Sequence, residues 1–307
     1  MAEYPIVQAY AVDEKGIPSA HYAVDEKGIP SAPYESYPRD YAKMKEMLLS
    51  LNFTNKMVQF FIEDSKKVEY YGIIADDSGS MATHDGEKIV KGEGIGTTRF
   101  EEMCIPIFEE YSLFRNCNIP SSFITLNNGT INIDNNSCQE NELKSLLTSP
   151  NGGTPLGEKL NEFLNNIRLI EGQKKLIIYT DGVPNESNQT IIRLLNRLLE
   201  LKTSITIRLC TDDRSIINYW NNIDNNLEID IDIVDSYFSE KKEVNNKNPQ
   251  INYTYHVHKL REYGVVNGMF DKMDEIKLEQ NSINFINALA EGSNYYVYRK
   301  RSTCNIC

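Results

Sequence analysis

Two apolar runs that each stop at a carboxylate constrain this chain most. Val68-Glu69-Tyr70-Tyr71-Gly72-Ile73-Ile74-Ala75 is rich in β-branched and aromatic residues and gives way to the polar turn Asp76-Asp77-Ser78-Gly79-Ser80-Met81. Leu176-Ile177-Ile178-Tyr179-Thr180 behaves alike and stops at Asp181-Gly182. Runs of this kind, bounded by turn residues, read as buried strands. Amphipathic helical spacings lie around them, as in Leu156, Leu160, Phe163 and Ile167 ahead of the second run. Strands alternating with such helices predict an α/β fold: a doubly wound, mostly parallel sheet flanked by helices. In open sheets of that type ligands bind beyond the carboxyl ends of the strands. Both acidic turns therefore fall on the edge where a site is expected.

The first turn sets a carboxylate and two hydroxyls, Asp76, Ser78 and Ser80, at alternate positions. A third oxygen source is the loop Ser149-Pro150-Asn151-Gly152-Gly153-Thr154-Pro155-Leu156-Gly157, which leads into a helix and offers the Thr154 hydroxyl. Each stretch alone is ordinary turn chemistry. In this order the three together resemble the von Willebrand factor A (vWA) family and its metal-ion-dependent adhesion site. The family pattern is D-x-S-x-S, a loop Thr and a distal Asp at a strand end. Asp76, Ser78, Ser80, Thr154 and Asp181 match its five positions.

The resemblance implies a vWA (Rossmann-like) sheet and a divalent cation, Mg²⁺ or else Mn²⁺ or Ca²⁺. Hard cations of this kind take oxygen ligands, Mg²⁺ octahedrally at about 2.0–2.1 Å. By the same resemblance Ser78, Ser80 and Thr154 give hydroxyl oxygens to the ion, while Asp76 and Asp181 sit close and balance its charge. An open position then captures an Asp or Glu from a protein partner. Gly79 serves the turn; Asp77 holds the variable position, and its burial is left open. The stretches 76–81, 98–102, 152–157, 235–240 and 252–264 also resemble an intracellular vWA subfamily. The implied organisation is a disordered tail (1–37), a helical lead-in (38–66), a vWA domain (67–236), a helical extension (237–298) and a basic, Cys-containing tail (299–307).

The resemblance makes a metal-dependent protein-binding module the first expectation. The alternatives are a Mg²⁺-dependent enzyme acting on phosphoesters and a scaffolding protein that uses no ion. Phosphoryl transfer needs a nucleophile, a general base or phosphate-binding cations, and no such set adjoins these motifs, so no catalytic residue is assigned. No G-x-x-x-x-G-K-[ST] loop occurs. His256 and His258 form an H-x-H pair without the neighbours a zinc site uses, which reads as structural.

The formal net charge of −12 disfavours a nucleic-acid surface, which needs basic patches to neutralise phosphates. No run approaches the roughly 20 apolar residues of a membrane-spanning helix, and the start, Met1-Ala2-Glu3-Tyr4-Pro5, lacks the features of a signal peptide. Cys104, Cys117, Cys138, Cys210, Cys304 and Cys307 are scattered along the chain. That pattern predicts a reduced, cytoplasmic protein.

Residues 10–20 recur unchanged as 22–32. Two copies, rich in Pro, Gly and charge, cannot build a solenoid or bury enough area to offset ordering entropy. The second copy runs into Pro33, and Pro30-Ser31-Ala32-Pro33 resembles the late-domain peptide read by the ubiquitin-variant domain of the ESCRT machinery; a neutral linker is the plainer reading. Apolar residues at 41, 44, 47, 48 and 51, then at 53, 57, 58, 60, 61 and 62, predict two helices packed on the sheet rather than a separate helical binding module. Residues 82–97 read as a loop over the site edge. Thr98 reads as an N-cap with Glu101 as its capping-box partner, and Asn128-Gly129 as a hairpin turn. Residues 227–234 alternate apolar and acidic and predict a last, edge-like strand. The chain ends Arg299-Lys300-Arg301-Ser302-Thr303-Cys304-Asn305-Ile306-Cys307, which fits C-a-a-X with prenylation at Cys304 beside a basic second signal. A chance C-x-x-C, a redox pair or a weak metal clip are the alternatives there, and a prenyl group would bring the protein to a membrane.

Overall fold

The structure is a computed structural model that describes residues 38–90, 93–133, 140–227, 231–265 and 267–292. The repeated segment, the Pro30–Pro33 motif and Cys304 lie outside the described residues. In chain order the elements are α1 (Tyr41–Ser50), α2 (Asn55–Ser65), β1 (Val68–Ala75), β2 (Gly86–Val90), β3 (Glu93–Thr97), α3 (Arg99–Asn116), β4 (Ser121–Thr125), β5 (Thr130–Ile133), α4 (Glu140–Leu146), α5 (Leu156–Ile167), β6 (Gln173–Thr180), α6 (Asn188–Glu200), β7 (Thr203–Leu209), α7 (Arg214–Asp224), β8 (Asp232–Val234), α8 (Tyr237–Lys247), α9 (Tyr255–Glu262), α10 (Gly268–Asp271) and α11 (Gln280–Ala290).

The main sheet runs β5-β4-β1-β6-β7-β8. β1 pairs in parallel with β4 and β6, β6 with β7, and β7 with β8; only β5 is antiparallel, on β4. The fold is thus α/β, with a mostly parallel sheet flanked by helices. The parallel strands are ordered so that the chain leaves β1 to one side, for β4, and later returns to its other side, for β6. That reversal creates a crevice at the carboxyl ends of β1 and β6, the place where such sheets bind ligands.

Side chains alternate across the sheet. Tyr71 and Ile73 of β1 and Ile177 and Tyr179 of β6 join one hydrophobic cluster that also holds Met44 of α1, Phe61 of α2, Ile107 of α3, Leu260 of α9 and Ile286 of α11. Tyr70 faces the other way, its ring 6.3 Å from that of Phe163 on α5. Gly72 makes the approach of α5 possible: a Cβ there would lie 2.3 Å from the Phe163 ring. Each fully buried Leu, Ile or Phe contributes about 1.5–3 kcal/mol. The helices before and after the sheet therefore belong to its core.

Caps fix several helix starts. Asp40, Thr54, Thr98, Ser187, Asp213 and Thr254 each accept a backbone N–H from the first turn, worth about 1 kcal/mol apiece. Thr54 also donates to Leu289 O at 2.9 Å, which fastens the start of α2 to the end of α11. No helix among the described residues is long and apolar enough to cross a membrane.

Two local expectations need correction. Residues 82–97 are not simply a loop: Gly86–Val90 and Glu93–Thr97 pair as an antiparallel ribbon. Its strands are mostly exposed or half-buried, so no apolar face marks them in the sequence. The alternating stretch 227–234 yields only the short edge strand Asp232–Val234, with 228–230 outside the described residues. Thr98 is the N-cap, accepting Glu101 N at 3.1 Å. The Glu101 carboxylate takes the Thr97 hydroxyl and pairs with Lys88 at 3.1 Å.

Candidate functional site at the carboxyl edge of the sheet

The five oxygen-bearing residues singled out in the sequence come from three loops at the crevice. Asp76 follows β1 directly, and its backbone N–H reaches Tyr179 O on β6 at 2.9 Å, which prolongs the ladder by one rung. Its carboxylate is buried. One oxygen accepts Ser78 N–H at 2.9 Å and the other the Thr180 hydroxyl at 2.7 Å. Burial pushes the Asp76 carboxyl above its usual range, against the pull of those Ser78 and Thr180 bonds.

Ser78 and Ser80 then point the same way, their hydroxyl oxygens 3.1 Å apart. Ser80 donates to Asp181 Oδ1 at 2.8 Å, joining the first loop to the end of β6. The glycine-rich loop is tied in by its backbone: Gly79 N–H donates to Gly152 O at 3.2 Å, and Asn151 N–H to Asp77 O at 2.6 Å. Asn185 holds Thr154 from both sides, N–H to Thr154 O at 2.9 Å and Oδ1 to Thr154 N–H at 3.3 Å. The Thr154 hydroxyl lies beside Gly182, where a Cβ would come within 3.9 Å of it. All five predicted residues thus meet at one edge.

Asp77, whose burial the sequence left open, is buried and structural. Its Oδ1 accepts Asn127 N–H at 2.8 Å and Asn127 Nδ2 at 2.9 Å, and its Oδ2 accepts Asn128 Nδ2 at 2.7 Å. This neighbour of Asp76 therefore anchors the first turn to the β4–β5 hairpin. Burial raises the Asp77 carboxyl, opposed by the Asn127 bonds.

Sequence reasoning missed Arg99, the first residue of α3. Its Nη1 donates to Asp181 Oδ2 at 2.8 Å, while Nε and Nη2 fork onto the two oxygens of Asp85 at 2.6 and 2.7 Å. The Asp85 bonds, foremost, raise Arg99, and the guanidinium holds Asp85 below the usual carboxylate range. A signal was present. A cation in the first turn of a helix opposes the macrodipole, so Arg99 in that position calls for a specific anionic partner. Asn127, Asn128, Thr180 and Asn185 were missed too. They are ordinary loop or strand-end residues, and only the fold aims them at the site.

The set supplies three hydroxyls and two carboxylates. Such hard donors suit Mg²⁺, Mn²⁺ or Ca²⁺ rather than a soft metal. The Ser78–Ser80 separation of 3.1 Å is close to the edge of an octahedron with ligands at 2.0–2.1 Å, about 2.9 Å. Among the described residues no three His, Cys, Asp or Glu side chains gather as a metal cluster; the candidate site is of a different composition. The H-x-H pair is built into the interior: His258 is bonded to Tyr253 Oη at 3.0 Å and His256 to Leu51 O at 3.2 Å.

No protein-family model matches the chain, and no curated protein matches it. Among solved structures it resembles the SpRpn10 VWA domain at 13% identity and TM-score 0.40, over 55% of this chain and 87% of that one. It resembles the manganese-loaded Plasmodium vivax TRAP protein at 14% identity and TM-score 0.36, over 56% and 70% of the two chains. The Deinococcus radiodurans RO (RSR) protein follows at 14% identity and TM-score 0.32; the match takes in 48% of this chain and 29% of that protein.

Proposed function

We propose that this chain is a vWA-type protein-interaction module whose adhesion site holds a divalent cation and captures an acidic side chain of a partner. The observation that carries the reading is the continuous hydrogen-bond path Asp76–Ser78–Ser80–Asp181 across the crevice, with Thr154 beside it. A bound cation would supply a positive, Lewis-acidic point that a carboxylate oxygen can coordinate. Ser78, Ser80 and Thr154 would hold it through neutral oxygens. Asp76 and Asp181, both committed to hydrogen bonds, would balance its charge from behind. Few anionic ligands leave an ion electrophilic, which favours capture of an outside carboxylate. Asp85 and Asp213 stand near Arg99 at the same edge, so an acidic partner meets anionic neighbours there and depends on the cation.

The fold alone names no partner. The scattered cysteines favour a reducing, intracellular setting. The terminal motifs, Pro30–Pro33 toward an ESCRT-type partner and Cys304 toward a membrane, are separate proposals that rest on sequence alone.

Titration of the full chain with Mg²⁺, Mn²⁺ and Ca²⁺ by isothermal calorimetry tests the reading. Wild type is expected to bind at least one of the ions at one site, and Asp181→Ala to weaken that binding about a hundredfold, equal to about 2.7 kcal/mol. Absence of binding by all three ions ends the proposal. Capture of partners from a cell extract with and without chelator then identifies which ones need the site.

A further inference from the structure

We propose that Arg99 is a built-in competitor of the cation: its guanidinium contends for Asp181 and sets how tightly the site takes an ion. This rests on the adhesion-site reading above and deepens it.

Asp181 has two carboxylate oxygens, and both are engaged. Oδ1 accepts the Ser80 hydroxyl at 2.8 Å, and Oδ2 accepts Arg99 Nη1 at 2.8 Å. The pair is shielded, with the Arg99 side chain 13% exposed and that of Asp181 at 0%. Charge-assisted bonds in such surroundings are the strong ones. The opposite edge of the same guanidinium is clamped in a two-pronged fork on Asp85. Arg99 therefore cannot swing away without losing a bidentate partner. An ion held by Ser80 would sit one hydrogen-bonded contact from Asp181, with a fixed positive charge on the far side of that carboxylate. Like charges at this separation, partly removed from water, repel appreciably.

The opposing possibility is that Arg99 only glues α3 to the end of β6. The two predict opposite signs. If Arg99 is glue, removing it loosens Asp181 and weakens ion binding. If it competes, removing it tightens ion binding, and a loss of fold cannot mimic a gain in affinity.

The experiment measures Mn²⁺ affinity of the full chain by counting free Mn²⁺ with electron paramagnetic resonance, alongside thermal melts followed by circular dichroism. Arg99→Met is expected to bind Mn²⁺ about tenfold tighter than wild type, or more. Arg99→Lys, which keeps the charge, is expected to stay within about threefold of wild type. Arg99→Gln keeps a donor to Asp181 without the charge and gives the same gain, which covers the case in which the Met variant does not fold. A folded Met or Gln variant that binds no tighter than wild type overturns the proposal, as does a Lys variant as tight as the Met variant. If wild type binds Mn²⁺ and only the gain is missing, this proposal alone has failed. If neither wild type nor the Met variant binds Mn²⁺, this proposal falls, and the adhesion-site reading falls with it when Mg²⁺ and Ca²⁺ fail to bind as well.

Discussion

The carboxylates at the crevice and those beneath α9 are handled in opposite ways. In the interior, Arg208 of β7 pairs with Glu102 of α3 and with Glu262 of α9, the latter at 2.8 Å. Arg261 of α9 pairs with Glu240 of α8 at 2.5 Å and with Asp232 of β8 at 2.8 Å. Those side chains are almost wholly buried. At the crevice, Asp76 and Asp181 are as deeply buried, but each accepts a hydroxyl, Thr180 on Asp76 and Ser80 on Asp181, and Ser80 is exposed. A guanidinium spends its hydrogens on the carboxylate and has no lone pair left to offer. A hydroxyl that donates to a carboxylate keeps its lone pairs and can still bind an ion. Interior charge is thus closed off and holds helices to the sheet, whereas charge at the edge is passed outward through Ser78 and Ser80. Arg99 is the one place described where the interior device intrudes on the edge.

The largest expected effect tests the interior half of this contrast. Arg261→Met leaves Glu240 and Asp232 buried without their cation, and loss of one partner of such a pair costs about 3–5 kcal/mol. Urea unfolding followed by tryptophan fluorescence should show the loss, equal in Mg²⁺ and in chelator. A loss that Mg²⁺ relieves would mean the two regions are not separate.

Next comes the edge. Asp76→Asn keeps the shape and an acceptor for Ser78 N–H or Thr180. It is expected to abolish ion binding while lowering stability in chelator by no more than about 1–2 kcal/mol. A loss as large as that of Arg261→Met would make Asp76 a core residue first and a site residue second.

The smallest effect is a pH dependence near β8. Burial, helped by neighbouring carboxylates, lifts Asp271 to about 7. A carboxyl raised on folding favours the native state at low pH, and that benefit is lost as pH rises from the unfolded value near 4 through 7. At pH 4, near the unfolded value, Asp271→Asn should come close to wild type. At pH 8, where wild type must ionise against burial, the variant should melt higher by about 1–2 °C. His256 and His258, held below their usual range by burial, act in the opposite sense in both proteins and cancel in the comparison. A difference that shrinks with pH would contradict the assignment.

The strands of the parallel sheet were legible because, Glu69 apart, 68–75 and 176–180 are buried on both faces and mostly apolar. The helices showed through their spacing, and the β4–β5 hairpin through Asn128-Gly129, where Gly129 adopts φ +132°. The β2–β3 ribbon was not legible, since a ribbon that buries so little leaves only a faint apolar trace; pairing between its strands and the bond from Glu87 N–H to the Glu102 carboxylate, 2.8 Å, hold it in place. Asp77 could not be assigned because its fate depends on Asn127 and Asn128, fifty residues away along the chain. The interior Arg208 and Arg261 pairs escaped notice for the same reason: charged residues on a strand or helix read as solvated until the partner element is known.

What the amino-acid order determined alone was the alternation of strands and helices and the identity of the oxygen-bearing turns, because burial and turn geometry act locally on residue type. Tertiary structure decided which of those turns share a crevice, that Asp77 faces inward while Ser80 faces out, and that Arg99 reaches Asp181. Those are facts about distance between remote segments, and only the reversal of strand order around β1 brings the segments together.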